Sequence, residues 1–252
     1  MGSERELLPE HGTTEQGQLV MPFYVVCDVS WSMFNDIVKL NEGLHQLVRA
    51  IRAEPIVDDV ARIGVMSFSD TARVVMPLGQ TSESTLQDLP LEGGTNYSAA
   101  FLALKETIDA DIADLKKRGM KVFRPCVFFL SDGEPNSSDS NWKTTFINTL
   151  TYDREHQTGN KNHPIFVPFG FRDAEEADMS FLAYPPGKSK WFLASTNQIQ
   201  DALKGIIGVI MNTTMTTSKT ANTGDGPKLI VAEASQSSGL DSGESSYTDD
   251  FV

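Results

Sequence analysis

The chain has 252 residues, a formal net charge of -13, and 40% hydrophobic and 22% charged residues. The length suits one large domain or two small ones, and the composition is that of a globular protein. Nucleic acid and anionic lipid both call for clustered Lys and Arg, so this acidic balance argues against either as a main partner; no apolar run approaches the ~18 residues of a membrane span.

Residues 1–18 read as a flexible leader. Their opening, MGSERELLPEHG, is polar and acidic, unlike a secretory signal, and Glu6 breaks the myristoylation pattern. From Val20 elements begin to alternate. PFYVVCDV (22–29) is a nearly continuous apolar run, as expected of a strand buried on both faces. Ile37, Leu40, Leu44, Leu47, Val48 and Ile51 follow at helical spacing, and Glu54-Pro55 ends that helix. ARIGVMSFS (61–69) and ARVVMPL (72–78) are strands separated only by Asp70 and Thr71, which predicts an antiparallel hairpin at a sheet edge. TSESTLQDL (81–89) suits a short capped helix. GGTN (93–96) is a glycine-hinged loop before a helix running from Tyr97 to Arg118, which Gly119 stops. PCVFFLSD (125–132) is a buried strand. Helices at 141–150, 174–184 and 196–213 then alternate with strands at 164–171 and 190–194.

This order predicts an α/β fold: a doubly wound, mostly parallel six-stranded sheet with helices on both faces and one antiparallel edge strand. The domain is expected over 19–215. Residues 216–252, rich in Ser, Thr, Gly and Asp, read as an acidic disordered tail whose one apolar patch, KLIVAE (228–233), could dock as a strand. Cys27 and Cys126 lie inside apolar runs and read as buried free thiols of a cytosolic protein; the four scattered histidines offer no zinc-ligand spacing.

Right-handed crossovers gather the loops at the strands' carboxyl ends on one rim, where open α/β sheets bind ligands. Asp28 ends the first strand, and Ser30 and Ser32 occupy the turn beyond it. Asp132 ends the strand expected beside the first, and Thr95 reaches the same rim from the GGTN loop. Two carboxylates and three hydroxyls form an oxygen-only set that suits a hard cation: Mg2+, with Mn2+ or Ca2+ as alternatives. So few charged ligands leave a coordination position open to an added acid.

DVSWS (28–32), Thr95 within EGGTNYSAA, and LSDGEPN (130–136) together resemble the three motifs of von Willebrand factor type A (VWA) domains, whose metal-ion-dependent adhesion site (MIDAS) is D-x-S-x-S, a distant Thr and a distant Asp. The resemblance spans about residues 20–213. LSDGEPN and GGTNYSAAF are most similar to the bacterial tellurium-resistance-associated, TerY-like branch. The resemblance implies that Ser30, Ser32 and Thr95 bind the metal directly, that Asp28 and Asp132 act largely through water, and that Glu134 holds a metal-bound water. The family usually has Gly where this chain has Trp31. That ring either packs under a neighbouring loop, flanks the metal on a partner-facing surface, or blocks the site.

The implied function is non-enzymatic: an intracellular bacterial scaffold that captures an Asp or Glu of a protein partner, in a stress or chemical-defence system. The alternatives are a metal-dependent hydrolase or phosphotransferase with Glu134 as base, and a VWA subunit of an AAA+ ATPase machine. The phosphate loop, nucleophile elbow and metalloprotease helix motifs are all missing. A tail acid such as Asp249 or Asp250 could also plug the metal position.

Overall fold

The computed structural model describes residues 17–194, 199–220, 228–235 and 238–245. In chain order the strands are β1 (Leu19–Asp28), β2 (Ala61–Phe68), β3 (Ala72–Gly79), β4 (Lys121–Val122), β5 (Cys126–Ser131), β6 (Tyr152–Asp153), β7 (Thr158–Gly159), β8 (Ile165–Gly170), β9 (Lys190–Ala194) and β10 (Leu240–Glu244). The helices are α1 (Ile37–Arg52), α2 (Pro55–Val60), α3 (Tyr97–Lys117), α4 (Trp142–Leu150), α5 (Glu176–Leu182) and α6 (Ile199–Thr220), with a 3-10 turn at Trp31–Asn35.

The main sheet runs β10-β9-β8-β5-β1-β2-β3, with the short β4 also paired to β1. β1 lies between β2 and β5 and is parallel to both; Phe23 sits in register with Ile63 on one side and Cys126 on the other. The connection from β1 to β2 leaves in one direction, while β5 returns on the other side of β1. The chain thus changes winding direction at the carboxyl ends of β1 and β5, which opens a crevice there.

The continuous apolar character of β1 follows from its two covered faces. Phe23, Val25 and Cys27 pack with Leu40, Leu44 and Leu47 of α1 and Ile206 and Ile210 of α6. The alternate residues Tyr24 and Val26 pack with Phe101 and Leu104 of α3 and Phe146 of α4. Neighbouring strand residues point to opposite faces, so a strand between two helical layers must be apolar throughout. α6 comes very close to α1 at Gly43, where a Cβ would stand 2.8 Å from Ile207 Cγ1.

The expected edge hairpin is present: β3 is antiparallel to β2. Three other features depart from the sequence expectations. Residues 81–89 form a turn and irregular chain rather than a helix. The Asp58 carboxylate accepts hydrogen bonds from Thr81 N (2.7 Å), Thr81 Oγ1 (2.6 Å) and Ser82 N (3.2 Å), so the capping groups are already engaged. Arg52 Nε donates to Thr81 O (2.9 Å), and Asn41 clasps both the N–H and the C=O of Leu89. Tertiary partners therefore replace the hydrogen bonds of a helix. Second, Pro55 ends α1 but also opens α2 from its first turn, where its missing N–H costs nothing.

Third, the chain beyond 216 carries structure where a disordered tail is expected. α6 continues to Thr220, and Leu240–Glu244 adds a second antiparallel edge strand, pairing with β9 from Leu240↔Ala194 to Glu244↔Lys190. Between them, residues 228–235 lie along α6. Lys228 N, Ile230 N and Ala232 N donate to the hydroxyls of Thr220, Thr217 and Thr213. Alternate amides of an extended chain meet threonines three and four residues apart on one helical face. The apolar patch of the tail does dock, on helical hydroxyls instead of a strand edge. Residues 1–16, and with them nearly all of the expected leader, lie outside the described residues, as do Asp249 and Asp250 of the expected plug.

Candidate metal centre

β1 delivers Asp28 to the crevice fully buried. Its Oδ1 accepts from Ser30 N (2.9 Å), which turns the chain out of the strand, and its Oδ2 accepts from Ser131 Oγ (2.8 Å) at the end of β5. Ser30 keeps an extended backbone, and the single 3-10 turn that follows brings Ser32 back toward it. The two hydroxyl oxygens are 2.8 Å apart, and Ser32 Oγ donates to Asp132 Oδ1 at 2.8 Å. Four of the five sequence-marked ligands thus converge: Asp28, Ser30, Ser32 and Asp132 share one hydrogen-bonded cluster.

Thr95 is held by its backbone. Its N–H donates to Asn136 Oδ1 (3.3 Å), and its carbonyl accepts from Asn136 N (2.8 Å). Asn136 belongs to the same loop as Asp132, so the Thr95 loop and the Asp132 loop are tied together. Thr95 is buried, and the hydrogen bonds that join Ser30, Ser32 and Asp132 do not include it. Asn96 beside it caps α3, accepting from Ala99 N at 2.8 Å. Gly93 carries φ +48°, and a Cβ there would fall 2.2 Å from Asp70 Oδ2; only glycine allows this approach. Glu134 is exposed on the loop after Asp132. Trp31 is 64% exposed and does not pack under a loop; Phe34 and Val38 are as open as Trp31 and continue the apolar strip from the 3-10 turn onto α1.

The electrostatics of the cluster favour a cation. Burial pushes the Asp28 carboxyl up to about 6; the Ser30 hydrogen bonds pull it back in part, and the nearby Asp132 charge raises it further. Asp132 is also raised, chiefly by burial, against the opposing pull of Ser32 and Arg172. Its Oδ2 is buried with no hydrogen-bond partner. A buried carboxylate oxygen in that condition costs of order 1–3 kcal/mol or more unless a charge meets it. The cation on hand is Arg172, whose Nε stands 3.8 Å from Asp132 Oδ2 while its guanidinium is hydrogen-bonded to Asp36. One guanidinium is shared by two carboxylates, Asp36 and Asp132, and it leaves Asp132 Oδ2 without a hydrogen bond. No group of three or more His, Cys, Asp or Glu suited to a metal occurs among the described residues, so hydroxyls must complete the set. Such a set of hard oxygens suits Mg2+, Mn2+ or Ca2+ better than a thiolate-seeking metal.

Sequence reasoning did not single out Ser131, Asn136, Asp36 or Arg172. Ser131 and Asn136 lay in the quoted LSDGEPN stretch, and their roles follow from contacts that only the fold makes. Arg172 adopts φ +58°, an uncommon conformation for a side chain, between Phe171, whose N–H donates to Ser131 O, and Asp173, whose N–H donates to Asp132 O. Nothing in the residue pattern marks it.

Residues 23–134 match the sequence model of the von Willebrand factor type A domain. No curated protein matches the chain. Among solved structures, proximal thread matrix protein 1 of the mussel byssus is similar with a TM-score of 0.51 and 12% identity, over 78% of this chain and 48% of that one. The pilus adhesin SpaC of Lactobacillus rhamnosus GG is similar with a TM-score of 0.52 and 15% identity, over 77% of this chain and 31% of that one. This chain thus spans about half the length of the mussel protein and under a third of the adhesin, and at these identities the likeness concerns the fold. All five candidate ligands, together with Trp31 and Glu134, fall inside the span that is similar to the von Willebrand factor type A domain.

Proposed function

We propose that the chain is a metal-dependent protein-binding module that captures an acidic side chain of a partner at the rim of β1 and β5. The observation that carries this is the joined Ser30–Ser32–Asp132 cluster, with a buried Asp132 oxygen that has no hydrogen-bond partner. Ser30, Ser32 and Thr95 would hold the ion through their hydroxyls, and Asp28 and Asp132 would hold it through water. The ion, Mg2+ by preference, supplies a positive centre with a position open to an outside carboxylate. The protein's own residues prepare that position: Ser131 and the Ser30 N–H orient Asp28, the Asn136 contacts fix the Thr95 loop to the Asp132 loop, and Arg172 holds Asp36 at the margin. Trp31, Phe34 and Val38 supply an exposed apolar border of the kind that interfaces favour.

The proposal is of a binder and not an enzyme. Glu134, the one candidate base, is exposed and outside the hydrogen-bonded cluster. The wider setting belongs to the same proposal: a bacterial scaffold of tellurium-resistance or stress type, supported by the LSDGEPN and GGTNYSAAF stretches, and a cytoplasmic location, supported by two buried free cysteines. No described helix is long and apolar enough to cross a membrane.

Calorimetric titration of the metal-free protein with Mg2+ and Mn2+ tests the reading. One site is expected, lost in Asp132→Ala, and partner capture should fail in EDTA. A protein that binds neither ion at millimolar concentration, or binds equally well as Asp132→Ala, overturns it.

A further inference from the structure

At the opposite end of the sheet, the amino-terminal ends of β5, β8 and β9 open onto a cavity of about 580 Å3. That volume falls within the range of small-molecule sites. Phe123 and Ile165 form an apolar floor where β5 and β8 begin. Leu229 and Val231 form the outer wall, on the segment that α6 holds through its threonines. The polar lining is unusual for so acidic a chain: Arg124, Lys188, Lys190 and Lys228 meet a single carboxylate there, Glu244.

Two of these cations, Arg124 and Lys188, have no ion pair with a carboxylate among the described residues. Lys190 is ion-paired with Glu233. Arg124 donates Nη1 to the His163 carbonyl at 2.7 Å. The field around them is positive enough to act on its neighbours. Burial and the nearby Arg154 disfavour the charge on Arg124, and burial together with Arg124, Arg154 and Lys188 drives His163 down to about 4. Positive charge that outnumbers the acids and is held next to apolar walls selects for an anion that brings an apolar body with it.

We propose that this cavity is a binding site for a small organic anion, whose acidic group pairs with Arg124 and Lys188 and whose apolar body rests on Phe123, Ile165, Leu229 and Val231. The site is separate from the metal centre and does not depend on it. Because Leu229 and Val231 form one wall, a bound anion also secures the 228–235 segment against α6.

Phenyl phosphate is a suitable probe, with inorganic phosphate and phenol as its two halves. The full chain is titrated with each, and binding is followed by the NMR signals of the His163 ring and by amide exchange at Ile230 and Ala232. Phenyl phosphate is expected to bind at least about tenfold tighter than either half, to move the His163 signals and to slow both amides. Lys188→Glu, at an exposed position, should weaken it by about tenfold or more, and Arg124→Gln should weaken it too. Asp28→Asn should leave it unchanged. Absence of binding, equal affinity for phenol, unmoved His163 signals, or full affinity in Lys188→Glu would each overturn the proposal.

Discussion

Ser32 and Asp132 are 100 residues apart in the chain, and the Ser32 hydroxyl donates to the Asp132 carboxylate at 2.8 Å. That bond closes the rim between the first strand and its neighbour, and it places two of the proposed ligands side by side before any ion arrives. Its partner oxygen, Asp132 Oδ2, is left buried without a hydrogen bond.

Asp28→Asn separates metal binding from folding. Asn keeps an oxygen for Ser30 N and offers its amide to the Ser131 hydroxyl, which can accept. The variant removes a buried charge, so its metal-free melting temperature at pH 7–8 is expected to match or exceed that of the wild type. Its Mg2+-dependent rise in melting temperature should vanish. Thermal denaturation with EDTA and with excess Mg2+ checks both halves.

The raised Asp28 carboxyl sets a pH dependence. Its folded value of about 6 lies above the ordinary 3.8, so the folded state holds the proton more tightly. The stability this group contributes is fully present below 3.8 and is lost as pH rises toward 6 in the metal-free protein. Protons and the cation compete for the same group, so Mg2+ affinity should fall as pH drops below about 6. The difference in stability between wild type and Asp28→Asn, measured from pH 4 to 8 in EDTA, and Mg2+ titrations across the same range test the two signs.

His163 acts in the opposite direction over nearly the same window. Its ring is buried, stacked on Tyr152 with its plane within 4°, and its value falls from 6.5 to about 4. A histidine depressed in this way contributes stability above 6.5 that is lost as pH falls through 4, an effect of order 2 kcal/mol. His163→Gln should flatten the acid limb of the stability profile. A profile of unaltered steepness would remove His163 as its cause.

Trp31→Ala and Phe34→Ala should change stability by less than about 0.5 kcal/mol, since both side chains are mostly exposed. Mg2+ affinity should be unchanged, while affinity for a captured partner should fall several-fold. Denaturant titration and calorimetry on the same samples separate these effects.

Thr217→Val removes the acceptor for Ile230 N and should cost about 1 kcal/mol. Amide exchange at Ile230 should quicken, with that of the β1 core unaffected. Equal protection in both proteins would show that the hydroxyls do not hold the segment.

Some of this molecule is written locally, because its cause is local. Alternation of apolar runs and helical spacings marks the layers, since a strand covered on both faces must be apolar throughout. Asp28, Ser30 and Ser32 occupy one short turn, and Thr95 and Asp132 stand at element ends where loops meet the rim. Other features depend on partners distant in the chain. Residues 81–89 carry helix-start chemistry, yet Asp58, Arg52 and Asn41 take up their hydrogen bonds. The segment after 216 has the composition of a tail, yet Thr213, Thr217 and Thr220 bind its amides and β9 accepts Leu240–Glu244. Arg172 reaches Asp36 and Asp132 only because β8 ends beside β5. Residue order by itself determined the layers and the rim, because burial and turn chemistry act over a few positions. Which hydroxyl meets which carboxylate, and which oxygen is left without a partner, was decided only when strands far apart in sequence were laid side by side.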